Sequence, residues 1–400
     1  MKIGLLREEK VPIDRRVVLT PRQCKKFQAI YPEVTLLVQS SDVRCFSDEQ
    51  YISQGVDVVC DISDCDVLIG VKEVPKKMLI PNKKYLFFSH TIKQQDYNRD
   101  LLVKMIEMKI SMIDYEVLRN KNNERLVGFG RYAGIIGAYN GFLTYGLKSG
   151  KYRLKPAYQC EDRSELDKEL KGIILKNEKI VITGNGRVGK GIMELIEASG
   201  LKEVSIDEFL NQTFNEPVFV HLGIMDYNER IDGSSSDKKE FYSHPELYQS
   251  SFVKFAKKAD IFMAGHFYSS GSPYLFTRDD AKLYDFNLKV VADISCDIDG
   301  PVASTIRPSS IEEPIYGYCP RTEQEVSFKE NDAIAVMAVS NLPCELPRDA
   351  SEDFGNEMLD KIFPYLMDGD SAQVLSNATI CNEGDLSLNF EYLRDYVNGR

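Results

Sequence analysis

Polar residues that could carry protons follow three apolar runs of this sequence. Lys72 follows residues 67–71, His90 follows 85–88, and Glu116 follows 111–115. A lysine and a histidine in one site can act as an acid–base pair, because burial or a neighbouring cation brings a lysine pKa down towards neutrality. The alternative is structural: Lys72 and Glu116 would be solvated residues at the rim of a sheet, and His90 a hydrogen-bonded, half-buried histidine.

A glycine-rich turn offers backbone rather than side chains for binding. The β-branched run 180–183 precedes Gly184, Asn185, Gly186, Arg187, Val188 and Gly189, and apolar residues then recur at helical intervals. In this spacing the first glycine permits a tight turn, the second lets backbone approach a pyrophosphate, and the third lets helix and strand pack closely. The helix N-terminus adds free N–H groups. We predict a dinucleotide site; the alternative is a glycine-rich turn that binds nothing.

Short apolar strands alternating with helices must position these residues. In the first third we predict strands at 2–6, 34–38, 56–59, 67–71, 85–88 and 111–115, and helices at 21–31 and 96–109. This alternation predicts an α/β fold with a parallel sheet. Ligands of such sheets bind at the carboxyl ends of strands, which is where Lys72, His90 and Glu116 fall.

The rest of the chain repeats the pattern around the glycine turn. We predict helices at 131–147, 161–175 and 390–397, strands at 180–183, 201–206, 218–222, 259–265 and 289–293, a flexible loop at 228–239, and a long helical region at 332–367 interrupted by prolines. Asp207 lies about twenty residues after Gly184, where an acidic residue holds the ribose 2′-hydroxyl. If the strand ends at Ser205, that position is neutral, and Lys202 is the one nearby cation for a 2′-phosphate. We therefore expect NAD, with NADP as the alternative.

Composition narrows the class of protein. The chain has 400 residues, too many for one ordinary core, so we expect two domains. Acidic residues outnumber basic ones by 61 to 50, which argues against a nucleic-acid partner. No apolar run approaches the ~20 residues of a membrane span. An odd number of scattered cysteines, nine, and a start without a signal-peptide pattern favour the cytoplasm. The histidines do not cluster with cysteines, so we expect no metal site.

Several separated segments resemble the saccharopine dehydrogenase (L-lysine-forming) and lysine-ketoglutarate reductase family, which is related to alanine dehydrogenase and the transhydrogenase α subunit. These segments are 70–75, 87–93, 113–116, 128–138, 292–301 and 339–348, and residues 16–21 resemble the N-terminal signature shared by the wider group. The resemblance implies two Rossmann-like domains with parallel sheets flanked by helices and an active site in the cleft between them. It places the substrate domain at 1–135 plus 325–400 and the NAD(P)-binding domain at 136–324.

The resemblance also implies a reaction: reversible oxidative cleavage of saccharopine to L-lysine and 2-oxoglutarate. In similar enzymes the residue matching Lys72 takes the proton of the substrate amine. The residue matching His90 acts on water and the carbinolamine, and the one matching Glu116 tunes the lysine. Because saccharopine carries three carboxylates, the family match assigns substrate contacts to cations and their neighbours: Arg16, Lys93, Arg125, Phe129 and Asp297. Without that match Arg125 reads as a surface charge.

For three further residues the sequence indicates a functional role less specifically. Asn341 is placed on the cofactor side by the family match. His266 could line the cofactor site or be structural, and Asp297 could instead serve as a helix cap or turn residue.

Two rival functions stay open: an alanine-dehydrogenase-like enzyme, and a non-catalytic nucleotide or amino-acid sensor, which predicts loss of Lys72 or His90. Because the sequence stops near residue 400, we expect no second enzyme domain.

Overall fold

The computed structural model describes residues 1–269 and 271–400. The chain forms two compact units. The first comprises Met1–Phe129 together with Pro347–Arg400, and the second comprises Gly130–Leu346. Within the described residues, no helix is both long and apolar enough to cross a bilayer.

The strands are short and mostly buried. They are β1 (Lys2–Leu5), β2 (Thr35–Gln39), β3 (Asp57–Val59), β4 (Val67–Lys72), β5 (Lys84–Phe88), β6 (Ser111–Asp114), β7 (Lys179–Thr183), β8 (Lys202–Glu203), β9 (Val218–Leu222), β10 (Asn228–Arg230), β11 (Tyr248–Ser250), β12 (Ile261–Ala264), β13 (Val290–Asp293), β14 (Ile315–Cys319), β15 (Gln324–Val326), β16 (Ile334–Met337), β17 (Thr379–Asn382) and β18 (Asp385–Leu386).

The α-helices vary from single turns to a long central helix in the second unit. They are α1 (Pro21–Ile30), α2 (Asp48–Ile52), α3 (Asp96–Glu107), α4 (Gly130–Ser149), α5 (Arg163–Glu169), α6 (Arg187–Ser199), α7 (Ile206–Asn211), α8 (Lys238–Ser243), α9 (Val253–Ala256), α10 (Arg278–Ala281), α11 (Pro347–Lys361), α12 (Phe363–Met367), α13 (Val374–Asn377) and α14 (Arg394–Asn398).

The first unit is a sheet in the order β18-β17-β6-β5-β4-β1-β2-β3. Its strands from β6 to β3 are parallel, and β17 joins β6 antiparallel. Val67 and Ile69 pack into the core that contains α1 and α11, whereas Leu68 packs into the opposite core with α3. Burial on both faces is what the continuous apolar run of β4 predicts. The chain leaves β1 for β2 on one side and later returns to β4 on the other, so the switch point lies between β1 and β4.

The second unit is a sheet in the order β15-β14-β16-β13-β12-β7-β9-β8. The strands from β16 to β8 are parallel, and β14 runs antiparallel to β16. Its switch point lies between β7 and β12. Helix α4 packs on α6 without side chains between them, since a Cβ on Gly134 would lie 2.0 Å from the carbonyl oxygen of Val188. The expected fold class, α/β with two largely parallel sheets flanked by helices, is confirmed.

Three predicted elements were wrong. The helical region predicted at 332–367 begins with a strand, β16, because its apolar run pairs with β13 on one side and β14 on the other. The loop predicted at 228–239 contains β10, which pairs with β11, and the start of α8. The strand predicted at 201–206 shrinks to β8, because Ser205 caps α7 by accepting a hydrogen bond from the backbone N–H of Glu208.

The boundaries between the units also differ from those expected at 135/136 and 324/325. They fall at 129/130 and 346/347. Helix α4 is continuous from Gly130 and packs on α6 and on the second sheet, and β14, β15 and β16 all extend that same sheet. The polypeptide therefore leaves the second unit later than the sequence suggested.

Candidate active site

The three proton-carrying candidates of the first unit lie in one row. Lys72 Nζ is 3.1 Å from His90 Nε2, and His90 Nδ1 is 3.3 Å from Glu116 Oε2. Lys93 extends the row, with its Nζ 3.6 Å from Glu116 Oε1. Lys72 ends β4, His90 follows β5, and Glu116 follows β6, so three neighbouring parallel strands deliver one residue each to the carboxyl edge of the sheet.

The backbone of His90 is held in an unfavourable conformation. Its φ is 57° and its ψ 8°, the left-handed region, which costs a residue with a side chain roughly 1–2 kcal/mol. The neighbouring Ser89 secures the turn, since its Oγ is within hydrogen-bond distance of Thr91 Oγ1 and donates to the buried carboxylate of Asp114. Asp114 also accepts the backbone N–H of Glu116. One buried carboxylate thus orients the segments carrying both His90 and Glu116, and such strained residues cluster at functional sites.

Charge and burial together lower the pKa at both ends of the row, which favours a neutral lysine and an ionised carboxylate. Burial, followed by the positive charges of Arg16 and Lys10, lowers the pKa of Lys72 from 10.5 to about 8. Burial alone would raise the pKa of Glu116, but His90, Lys93 and Arg125 outweigh it and lower that pKa to about 2. Near neutral pH the row therefore combines a permanent carboxylate with a lysine that can release its proton.

The contacts specify where the protons lie. When Lys72 is an ammonium group it donates to His90 Nε2, so the neutral ring carries its proton on Nδ1 and faces the carboxylate of Glu116. This tautomer is assigned from the partners of the ring. A proton can pass between Lys72 and His90 over one 3.1 Å contact while Glu116 stabilises the ring.

The predicted substrate cations lie around this row, and Arg16, like Lys93, already has an acidic partner. The guanidinium of Arg16 donates to Asp14 twice, Nη2 to Oδ2 at 2.5 Å and Nε to Oδ1 at 3.0 Å, and both side chains are buried. Arg16 also lies 4.1 Å over the ring of Phe129, and Arg125 lies 5.3 Å over the ring of Phe88. A substrate carboxylate at Arg16 would have to share the guanidinium with Asp14, a residue that the sequence did not single out.

The glycine turn of the second unit has the shape that the motif predicts. A Cβ on Gly184, whose φ is +100°, would lie 2.2 Å from the carbonyl oxygen of Gly265, and a Cβ on Gly189 would lie 1.8 Å from that of Gly184. Around Gly186, by contrast, a Cβ would meet nothing within 4 Å. The first and third glycines are required by packing. The second opens onto free space, where it caps α6 without a side chain.

A buried ring nitrogen lies beside this turn. His266 follows β12, the strand across the switch point, and its Nδ1 is 2.9 Å from Thr183 Oγ1. Burial lowers the pKa of His266 to about 4, so the ring is neutral. Its Nε2 is buried and has no hydrogen-bond partner among the described residues. The free space at Gly186, the first-turn N–H groups of α6 provided by Arg187 and Val188, and this unpaired nitrogen fit a dinucleotide.

Asp207 does not lie where the sequence placed it. The strand next to β7 is β9, not β8, and Asp207 sits exposed in the first turn of α7, where it accepts a hydrogen bond from Asn211. The acidic residue after β9 is Asp226. Its Oδ2 accepts the backbone N–H of Gly223 at 2.6 Å, and a Cβ on Gly223 would be 3.1 Å from Asn185 Nδ2. The carboxylate close to the glycine turn is therefore Asp226, which a search by distance along the sequence missed.

His221 was likewise given no role from the sequence. Its Nε2 is 2.8 Å from the carbonyl oxygen of Gly184, so β9 also supports the turn.

Asp297 and Asn341 follow β13 and β16 at the same edge of the sheet. The loop that carries Asp297 is anchored by Asp293, which accepts hydrogen bonds from the hydroxyls of Ser295 and Thr305. Asn341 precedes a 3₁₀ turn, Leu342–Glu345. Over residues 1–269 and 271–400 no cluster of metal-ligating side chains is found.

The chain is similar in sequence to known proteins along its whole length. Residues 4–136 match the alanine dehydrogenase/PNT N-terminal domain family. The chain is 28% identical over 455 residues to the mitochondrial α-aminoadipic semialdehyde synthase of Bos taurus, covering 100% of this chain and 48% of that protein. It is 26% identical over 392 residues to a saccharopine dehydrogenase [NAD(+), L-lysine-forming] of Yarrowia lipolytica, covering 93% and 94% of the two chains.

The chain is thus similar in sequence to proteins named saccharopine dehydrogenase. It spans about half the length of the α-aminoadipic semialdehyde synthases that it matches. Among solved structures, an L-alanine dehydrogenase superposes with a TM-score of 0.64 at 16% identity, covering 99% of this chain and 100% of that one. That likeness supports the α/β fold alone.

Proposed function

We propose that this protein is a saccharopine dehydrogenase of the L-lysine-forming type, which reversibly cleaves saccharopine to L-lysine and 2-oxoglutarate. The observation that carries the proposal is the 3.1 Å contact between Lys72 and His90, beside Glu116, at the carboxyl edge of the first sheet. Relatives named for this reaction, including the one from Yarrowia lipolytica, support it. Both residues whose loss a non-catalytic sensor would predict are present and in contact.

The reaction needs proton carriers as much as it needs a hydride acceptor. A bound nicotinamide supplies that acceptor for the glutaryl α-carbon hydrogen. Lys72, with its pKa near 8, takes the proton of the substrate amine, and the resulting imine becomes open to water. His90 then removes a proton from water and returns one to the departing lysine nitrogen. Glu116 stays ionised and stabilises the imidazolium form of His90.

Substrate carboxylates are assigned to the cations around this row. We propose that Lys93 and Arg125 bind carboxylates directly, and that Arg16 does so while paired to Asp14. Phe129, stacked on Phe354 with ring centroids 4.5 Å apart, forms the apolar floor beneath Arg16. Asp297 stays a proposed substrate contact that rests on the family match. Guanidinium groups suit this task because their planar fork matches a carboxylate.

The cofactor is proposed to be NAD. Gly184, Asn185, Gly186, Arg187, Val188 and Gly189 would hold the pyrophosphate, with His266 and Asn341 lining the same edge. Asp226 takes the role first given to Asp207, because it follows the strand next to β7. A carboxylate there accepts hydrogen bonds from a ribose and repels a 2′-phosphate. The name of the Yarrowia lipolytica relative also gives NAD(+) as its cofactor.

A panel assay tests the proposal. Purified protein is offered saccharopine, L-alanine, or L-lysine with 2-oxoglutarate, each with the NAD and the NADP couple, and nicotinamide absorbance is followed. We expect turnover of saccharopine with NAD, and of lysine with 2-oxoglutarate and NADH. Turnover of alanine without saccharopine would instead make this an alanine-dehydrogenase-like enzyme. Dinucleotide binding without any turnover would indicate a sensor.

A further inference from the structure

Glu8 is a buried carboxyl group that the proposed mechanism does not use. It follows β1 and is 7% exposed. Its Oε1 accepts the backbone N–H of Val71 at 2.6 Å, and its Oε2 accepts that of Lys72 at 2.9 Å. These two amides belong to the end of β4, 63 and 64 residues away along the chain. Both oxygens of one carboxyl group thus accept hydrogen bonds from the strand end that carries the lysine.

On the side of β1 the sheet leaves this strand end unsupported, whereas on the side of β5 Lys72 pairs with Phe88. β1 pairs with β4 only as far as Leu5 opposite Ile69, with a last backbone bond from Leu6 N to Ile69 O. On the other side, the register between β4 and β5 shifts between Ile69 and Lys72. Past Ile69, on the side of β1, the carboxyl group of Glu8 therefore takes the place that a neighbouring strand would otherwise fill.

Gly70 makes the room for this arrangement. A Cβ on Gly70 would lie 3.1 Å from Leu6 Cδ1 and 3.3 Å from Glu8 Oε1. Both distances are tighter than ordinary van der Waals contact, so a side chain at this position would press on the carboxyl group of Glu8. The backbone at Gly70 and the side chain of Glu8 are fitted to each other immediately before Lys72.

We propose that Glu8 is a positioning residue that holds Lys72 within reach of His90. The two amide bonds fix the backbone of Lys72, and this fixes where its side chain starts. Without them the end of β4 is free to move outward, and Lys72 Nζ gains water and loses its 3.1 Å contact with His90. Any effect on turnover rests on the function proposed above, whereas the effect on Lys72 does not.

The test measures Lys72 directly. Wild type, Glu8→Ala and Glu8→Gln are labelled with trace acetic anhydride across a pH series, and acetylation of Lys72 is read by peptide mass spectrometry. Because burial is the largest cause of the low pKa of Lys72, hydration in Glu8→Ala raises it from about 8 by about one unit. Glu8→Gln keeps one acceptor oxygen and gives an intermediate rise. Glu9→Gln is the matched control, because Glu9 pairs with Arg7 and leaves Lys72 unchanged.

Turnover gives the second readout. In the saccharopine assay, kcat falls at least about tenfold in Glu8→Ala while KM changes less than about threefold, and Glu8→Gln restores part of kcat. A wild-type labelling pKa at Lys72, in whichever of the two Glu8 variants folds, overturns the proposal. If the wild-type protein does not turn over saccharopine, the proposed function fails, but the labelling experiment still decides the role of Glu8.

Discussion

In the first unit, the surroundings of single residues set their pKa values and backbone conformations. Lys72 is an ordinary lysine until burial and the charges of Arg16 and Lys10 lower its pKa to about 8. Glu116 is kept ionised by His90, Lys93 and Arg125, against the effect of its own burial. His90 has a left-handed backbone that Ser89 and Asp114 hold in place. These residues can be tested individually.

Removing either proton carrier should abolish most of the activity. We expect Lys72→Met and His90→Gln each to lower kcat for saccharopine by roughly 100-fold or more, since a positioned acid or base contributes about 10²–10⁴ in rate. Lys76→Met and His244→Gln serve as controls, because these side chains are 53% and 61% exposed and lie outside the row. Wild-type rates in the Lys72 and His90 variants would remove both residues from the mechanism.

The low pKa of Lys72 predicts a pH profile. Because the lysine accepts a proton in saccharopine oxidation, it must start neutral. We expect kcat/KM to rise about tenfold per pH unit below a pH of about 8 and to level off above it. Steady-state rates from pH 6 to 10 provide the measurement. A limb near pH 10.5, the ordinary lysine value, would contradict the assignment.

The glycine turn predicts contrasting effects at two of its residues. Gly186→Ala places a methyl group in free space, so we expect thermal stability within about 0.5 kcal/mol of wild type but weaker NAD binding by about tenfold or more. Gly189→Ala drives its Cβ into the carbonyl oxygen of Gly184 and should cost about 3 kcal/mol or prevent folding. Thermal melts and dinucleotide titrations check both. Equal NAD affinity in Gly186→Ala and wild type would argue against a pyrophosphate at this position.

Strand order decides which elements meet at each site. In the first unit the switch point lies between β1 and β4, and Glu8 and Lys72 flank it. In the second unit it lies between β7 and β12, and the glycine turn and His266 flank it. Because β9 rather than β8 borders β7, the carboxylate near the turn comes from the segment after β9. The position of this carboxylate therefore depends on the order of the strands and cannot be read from a single residue.

Replacing each of the two candidate acidic residues by asparagine tests which of them contacts the cofactor ribose. We expect Asp226→Asn to lower the ratio of kcat/KM for NAD over NADP by about tenfold, because the variant no longer repels a 2′-phosphate. An asparagine still offers an oxygen to the N–H of Gly223. Asp207→Asn should leave the ratio unchanged, because this residue lies in the first turn of α7. The reverse pattern would restore the assignment made from sequence distance.

At the scale of the whole molecule, buried carboxyl groups set the pH range of stability. Burial raises the pKa of Glu8 and Glu345 from 4.5 to about 8, and that of Asp114 from 3.8 to about 7. The folded protein therefore keeps protons that the unfolded chain releases. Their contribution to stability is lost as the pH rises from about 4 to about 8. Asp14 and Glu116, with pKa values lowered to about 2, act oppositely, and their contribution is lost as the pH falls from about 4 to 2.

We therefore expect the free energy of unfolding to be highest near pH 5 and to fall towards pH 8.5. Glu345→Gln should flatten this fall, because the amide mimics the protonated acid and can still accept the hydrogen bond from Asn140. Glu313→Gln, at an exposed position, should leave the slope unchanged. Urea unfolding at several pH values is the measurement. Stability that rises from pH 5 to pH 8.5 would contradict the expectation.

What the sequence determined by itself was local. The apolar runs of β4, β5 and β6 predicted buried parallel strands, since a run apolar at successive positions must be covered on both faces. The glycine spacing predicted the turn after β7, because a positive φ and a close approach of backbone are requirements of single positions. Lys72, His90 and Glu116 could be chosen because each follows such a run. Their common edge follows from the rule that parallel strands end on one side.

What only the tertiary structure decided was pairing between distant segments. That β9 borders β7 depends on hydrogen bonds across the sheet, and this made Asp226, not Asp207, the neighbour of the turn. β16 was mistaken for helix because an apolar run of four residues fits either element until its partners β13 and β14 are known. Glu8 reaches Lys72 across 64 residues of chain. Such contacts are set by packing, which no local spacing records.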